Sequence, residues 1–271
     1  MKFFKSLNQL AMLIDGFIFF ASLVTFVSWF FNDGWLQWSH TPGLSPFTSF
    51  SLMLMSGARL ADQMWETWSK PMTLAILGIV ACGNFSSLWI QLLSPELFLK
   101  TIPHTVPTSA LTSIGLILFC FYEVLVVIRR SPDSAFIVDD ILLHLALFPG
   151  GLSLLGHVLG VDLYMRSGVD YRVGIGYFEM LLMGSFAVAA VFSNPNLFMW
   201  RFLNKSRLNR LTFALLFINQ YVAPLLVGIL FRSPQLSTRS IGIEFYVMVA
   251  GVLATLIFLL INAFCRNCLD Y

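Results

Sequence analysis

The feature that most constrains this chain is a succession of apolar runs, each about as long as a bilayer is thick. Pro, Gly or charged residues separate each run from the next. A helix of about 20 apolar residues spans the hydrocarbon core of a membrane. Inside lipid only helices and closed barrels satisfy their own backbone. The runs lie at 10–31, 46–60, 72–93, 106–128, 141–159, 173–192, 211–231 and 243–264. They predict an all-α, polytopic membrane helical bundle of about eight transmembrane helices arranged as hairpins. The 46–60 run is the weakest, because Ser45, Thr48, Ser49, Ser51 and Ser56 dilute it, and it also reads as a loop outside the membrane. Only 11% of the residues are charged and 58% are hydrophobic, against about 25% charged in soluble domains. A soluble core of this size has no room for so much apolar surface.

Charge then sets orientation and excludes one class of partner. Lys and Arg resist translocation. With the first run leaving the cytoplasm, eleven of the 16 basic residues, among them Arg59, Lys70, Arg129, Arg130 and Lys205, fall on the cytoplasmic side. Lys100, Arg166, Arg172, Arg232 and Arg239 fall on the other. Both termini are expected in the cytoplasm of a bacterial inner membrane. Trp38, His104 and Asp170 are expected on the opposite face. A net charge of +2 with no basic, aromatic-interleaved patch gives no purchase for nucleic acid. The first run is too long for a signal-peptide core and has no small-residue cleavage site, so it reads as a retained span. Cys82 and Cys120 sit in apolar runs, and no disulfide framework is indicated. Cys265 and Cys268 form a single CxxC. Structural zinc needs two further ligands; palmitoylation next to the membrane is chemically open; two inert thiols are the simplest reading.

The runs also repeat. Three long spans each lead through a short outer loop to a small-residue helix start: SPFTSF at 45–50, VPTSAL at 106–111 and VGIGYF at 173–178. Pro46 and Pro107 are 61 residues apart and Gly174 follows 67 later. The chain thus reads as one transmembrane domain over 1–271, with three hairpins over 10–192, a basic segment at 196–210 and a terminal hairpin at 211–264. The basic segment, NLFMWRFLNKSRLNR, has two readings. One is a short helix lying on the anionic leaflet, with Phe198, Met199, Phe202 and Leu203 on one side. The other is a basic connector obeying the positive-inside rule.

The segment GHVLGVDLYMRSGVDYRVGIGYFEMLLMGSFAVAAVFSNPN at 156–196 resembles the repeating hairpin of the multi-pass (MASE-like) input modules of bacterial sensor histidine kinases and diguanylate cyclases. YVAPLLVG at 221–228, Gly242 and INA at 261–263 resemble their terminal hairpin. The resemblance implies a membrane fold and a sensory input role. It names no ligand and no cofactor. The sequence departs from that family in stopping at Tyr271, with no coiled-coil heptads, kinase or cyclase domain. Signalling would then pass to a separate membrane or cytoplasmic protein, or to a second copy of the chain.

Ionisable groups inside spans cost about 2.5–3.5 kcal/mol at the bilayer centre, less near its faces, and mark candidate sites. Asp15, Glu123, His144, His157 and Glu179 are those groups. Glu179 and His157, on consecutive spans near the outer face, are expected to form one acid–imidazole pair. Glu123 and His144 form a second near the inner face, with Asp15 at the same level. Such pairs bind a proton, a ligand or a metal, or bond neighbouring helices. The two histidines, 13 residues apart on one helix, lie about 20 Å apart and share no metal. No Gly-rich phosphate loop, HExxH or Gly-x-Ser-x-Gly is present. Asp139 and Asp140 read as acidic residues at a helix N-terminus. The readings that remain are an input or scaffold module acting through a partner, and a small transporter or membrane enzyme built on Glu179 and His157.

Overall fold

The computed structural model describes residues 2–31, 44–65, 70–93, 108–129, 137–165, 174–231 and 241–269. These form α1 (Lys2–Ser28, continued by a 3-10 turn at Trp29–Phe31), α2 (Pro46–Met64), α3 (Lys70–Leu93), α4 (Ala110–Arg129), α5 (Ile137–Leu159) and the short α6 (Asp162–Met165). There follow α7 (Tyr177–Ser193), α8 (Phe198–Lys205), α9 (Arg207–Phe217), a π-helical turn (Ile218–Val222), α10 (Ala223–Phe231) and α11 (Ile243–Leu269). The fold is an all-α bundle, as the apolar runs predict. The expected outer residues Trp38, His104 and Asp170, together with Pro107 and Arg130, lie outside the described residues, as do the side chains of Cys265 and Cys268.

The helices are amphipathic in the sense opposite to that of a soluble protein. On α1 the inward stripe is Ala11, Asp15, Ile18, Ser22 and Thr25, all buried, whereas Leu13, Phe17, Phe20 and Val24 are exposed. The spacing is that of one helical face, but the polar side faces in. On α2 the buried residues include Thr48, Ser49, Ser51, Ser56 and Arg59. Large exposed apolar faces of this kind need a non-aqueous surrounding. The chain is a multi-pass membrane protein.

Six helices close into a ring: α1 packs on α2, α2 on α3, α3 on α4, α4 on α5, α5 on α7, and α7 returns to α1. The six belong to the three predicted hairpins. Within the ring α2 also touches α4 and α7. The terminal hairpin, α9 to α11, lies outside and leans on the ring chiefly through α5. Its joint is tight at one end. Tyr164 donates to Glu244 Oε1 (3.1 Å) and accepts from the Gly242 amide (2.9 Å), and Leu152, Leu155, Val161 and Met248 pack around it. Gly160, at φ 66°, lets α5 end there: the Val161 amide bonds back to Gly156 O (2.8 Å), a closure that needs the left-handed conformation.

Eight spans were expected, and the number is corrected to six or seven. Among the described residues six helices are long and apolar enough to cross a membrane, and a seventh span results if α7 and α8, bent by 68°, count as one. The predicted 46–60 span does form a helix, α2, but is not among them. Its hydroxyls and Arg59 lower its hydropathy because they serve the bundle interior rather than lipid.

Candidate functional site

Three polar or hollow regions lie within this framework. The first is formed where α2, α4 and α7 begin. Ser45 and Ser109 each cap their helix, accepting from the amides of Thr48 and Thr112 at 3.0 Å, and each hydroxyl pairs with that threonine's at 2.8 Å. Gly176 holds the same place before α7, with Glu179 in the threonine position. The structural repeat is therefore Ser45, Ser109 and Gly176, at intervals of 64 and 67 residues. The three starts are knotted together: Ser45 Oγ lies 2.7 Å from Thr108 Oγ1, and Thr48 donates to Glu179 Oε1 at 3.2 Å. The Thr112 hydroxyl and the Gly176 amide also bond Glu179. A carboxylate among helix N-termini meets their positive ends, so this buried glutamate needs no imidazole. His157 is engaged elsewhere. Its Nε2 is 2.9 Å from Ile175 O and its ring stacks on Tyr177, centroids 3.8 Å apart. The structure thus places the expected outer pair on separate partners.

The second region is nearer the other end of the ring. Arg59 Nε lies 3.3 Å from Asp15 Oδ2, and its Nη1 lies 3.4 Å from Glu123 Oε1. The guanidinium also donates to Phe186 O (3.4 Å) and Ser193 Oγ (2.7 Å), with the Phe186 ring 4.9 Å away. Arg59 is 7% exposed and Asp15 0%. Asp15 and Glu123 do share one level, as predicted. Their partner is Arg59, which the charge count had put in the cytoplasm. Two carboxylates face one guanidinium, and four helices are tied through it. The inner pairing of Glu123 with His144 is corrected accordingly. No signal in a single sequence distinguishes an inward arginine near a helix end from a flanking one.

The third region is a cavity of about 890 Å³ between the ring and the terminal hairpin. Residues of α1, α5 and α7 form one wall, and α8, α9, the π turn and α11 form the other. His144 lines it, and its Nε2 has no hydrogen-bond partner. Opposite stands Gln220 on the π turn. Pro224 explains that turn. Its ring cannot donate and crowds the carbonyl four residues back, and the backbone widens, with the Ala223 amide bonding Ile218 O. Such bulges frequently mark functional positions. Gly251 of α11 touches this turn so closely that a Cβ there would stand 2.7 Å from Gln220 Cα.

Asp140, at the cavity's edge, serves another helix than its own. Its carboxylate accepts the amides of Phe198 (2.8 Å) and Met199 (3.1 Å), first-turn amides of α8 that have no acceptor within their own helix. This holds the bend after α7. Asp139 accepts from Arg129 at 3.3 Å. Within 196–210 a helix forms over Phe198–Lys205, with Phe198 buried and Arg201 and Lys205 exposed, and Arg207 begins α9. Among the described residues no group of three or more His, Cys, Asp or Glu could hold a metal. Compared with protein-family models, with curated proteins and with solved structures, the chain gives no match.

Proposed function

We propose that this protein is an input module of a bacterial inner membrane, with both termini cytoplasmic, that relays the state of its terminal hairpin to a separate protein. The observation that carries this reading is the division of the molecule. A closed ring holds its polar groups inside, and a hairpin fixed to it at one end borders a cavity at the other. A stimulus that fills or empties the cavity changes the hairpin's angle on α5 and leaves the ring alone. The orientation rests on basic residues: with Arg59 inside the bundle, ten remain on the cytoplasmic side against five. The likeness of 156–196 to sensor input hairpins agrees with the role. The transporter or enzyme reading relied on Glu179 and His157 acting together, and their separate engagements give it less support.

Copurification from native membranes in mild detergent is the test. A partner at fixed stoichiometry is expected with the wild type and is lost in Gly251→Leu, which pushes α11 off the π turn. Hydrogen exchange over the ring helices stays unchanged in that variant. A chain that purifies alone and moves a solute in liposomes would overturn the proposal.

A further inference from the structure

We propose that the cavity between ring and hairpin binds a neutral, lipid-soluble molecule with a hydrocarbon body and a carbonyl head, the head accepting a hydrogen bond from Gln220. Three observations fix this chemistry. About 890 Å³ lies within the range of ligand pockets, roughly 300–1,000 Å³, and the walls are mainly Leu, Phe, Met and Val. A hydrocarbon body fits such walls.

The charge around the cavity excludes an ionised head. No Lys or Arg lines it, and Asp140 is bound to the start of α8. A phosphate or carboxylate would find no counter-charge there and would meet a carboxylate instead.

Gln220 then selects the polar group of the ligand. The residue is 1% exposed, and its Oε1 lies 3.3 Å from Thr255 Oγ1, whose hydroxyl also reaches Gly251 O at 3.0 Å. The amide nitrogen, a donor, has no hydrogen-bond partner. A buried donor left unmade costs about 1–3 kcal/mol, and a ligand acceptor would remove that cost. His144 Nε2, unpartnered on the ring side, offers a second polar contact. A donor asks for an acceptor, and a carbonyl oxygen, with two lone pairs and no hydrogen of its own, meets that demand in a neutral lipid-soluble molecule. A free quinone and the ester of a neutral glycerolipid share this chemistry.

The assignment concerns the same cavity as the proposed relay, but its test reads binding alone. Gly184 and Gly150 both line the cavity, and a Cβ on either meets nothing within 4 Å. A leucine at either position starts from a Cβ with open space around it and takes up cavity volume. The purified protein would be titrated by thermal shift with a decyl-substituted benzoquinone, with dioctanoylglycerol and, as the ionised control, with dioctanoyl phosphatidic acid. At least one neutral probe is expected to raise the wild-type Tm saturably. The apparent affinity should fall at least tenfold in Gly184→Leu and in Gln220→Leu, with helix content by circular dichroism unchanged. Gly150→Leu stands in should Gly184→Leu fail to fold. A response to the benzoquinone alone identifies a quinone source, and one to dioctanoylglycerol alone a glycerolipid source. An equal response in the filled variants, no response to either neutral probe, or a response as large to phosphatidic acid overturns the assignment. A partner retained while neither neutral probe binds would remove the ligand and leave the relay standing.

Discussion

The ring and the seam beside it solve the same problem in different ways. Both are apolar bodies in lipid that contain polar side chains. In the ring those side chains meet across helices: Arg59 with Asp15 and Glu123, Ser45 with Thr108, Thr48 with Glu179. Along the seam the contacts are chiefly apolar, and the amide nitrogen of Gln220 and Nε2 of His144 have no hydrogen-bond partner. The ring also holds unbonded atoms, such as Ser22 Oγ and Ser113 Oγ, but its Arg59, Asp15 and Glu123 are joined as ion pairs. Interhelical association in lipid draws no strength from a hydrophobic effect and depends on packing and polar contacts. A region rich in such contacts is a fixed scaffold; a region poor in them is free to change. On the proposed reading, the ring is the structural part and the seam the responsive one.

The largest effect that would break this comparison is expected at Arg59. Arg59→Met leaves two buried carboxylates without their cation, and loss of one partner from a buried ion pair costs about 3–5 kcal/mol. Thermal unfolding in detergent should show that loss. Adding Asp15→Asn and Glu123→Gln to Arg59→Met should recover most of it, since no buried charge then remains. Failure to recover would mean that Arg59 acts through Phe186 and Ser193 rather than through the carboxylates.

A smaller effect is expected at the helix starts. Ser45→Ala removes the cap of α2 and the bond to Thr108, and a lost cap costs about 0.5–2 kcal/mol. Hydrogen exchange should rise at the beginnings of both α2 and α4, because the bond joins them. A change confined to α2 would show that the knot is three separate caps.

The smallest concerns the joint. Tyr164→Phe removes the bonds to Glu244 and the Gly242 amide, each worth about 0.5–1.5 kcal/mol. Faster exchange in α11 with the ring unmoved is the expected result. A uniform fall in protection across all helices would mean that ring and hairpin unfold as one unit.

Particular residues show how far the sequence reaches. The positions of the helices were legible because apolar runs and their breaks are local: 211–231 was expected and Arg207–Phe231 is found, 243–264 was expected and α11 covers it. The three helix starts were legible, though their mutual register was set on prolines rather than on the capping Ser45 and Ser109. Five candidate ionisable residues were legible because an ionisable group in an apolar run is conspicuous. Their partners were not. Glu179 bonds a threonine 131 positions away, and Arg59 a serine 134 away. Neither distance leaves a mark in the local pattern. Arg59 misled the charge count for the same reason, since an arginine near a helix end has the same local sequence whether it faces water or a carboxylate.

The sequence by itself determined that this chain is a helical membrane protein, because the length and hydropathy of each run decide whether lipid accepts it. Only the tertiary structure decided which polar groups meet, that α2 belongs inside, and that a cavity separates hairpin from ring. Those outcomes depend on how helices far apart in the chain pack side by side, and packing is a property of pairs of surfaces rather than of any one segment.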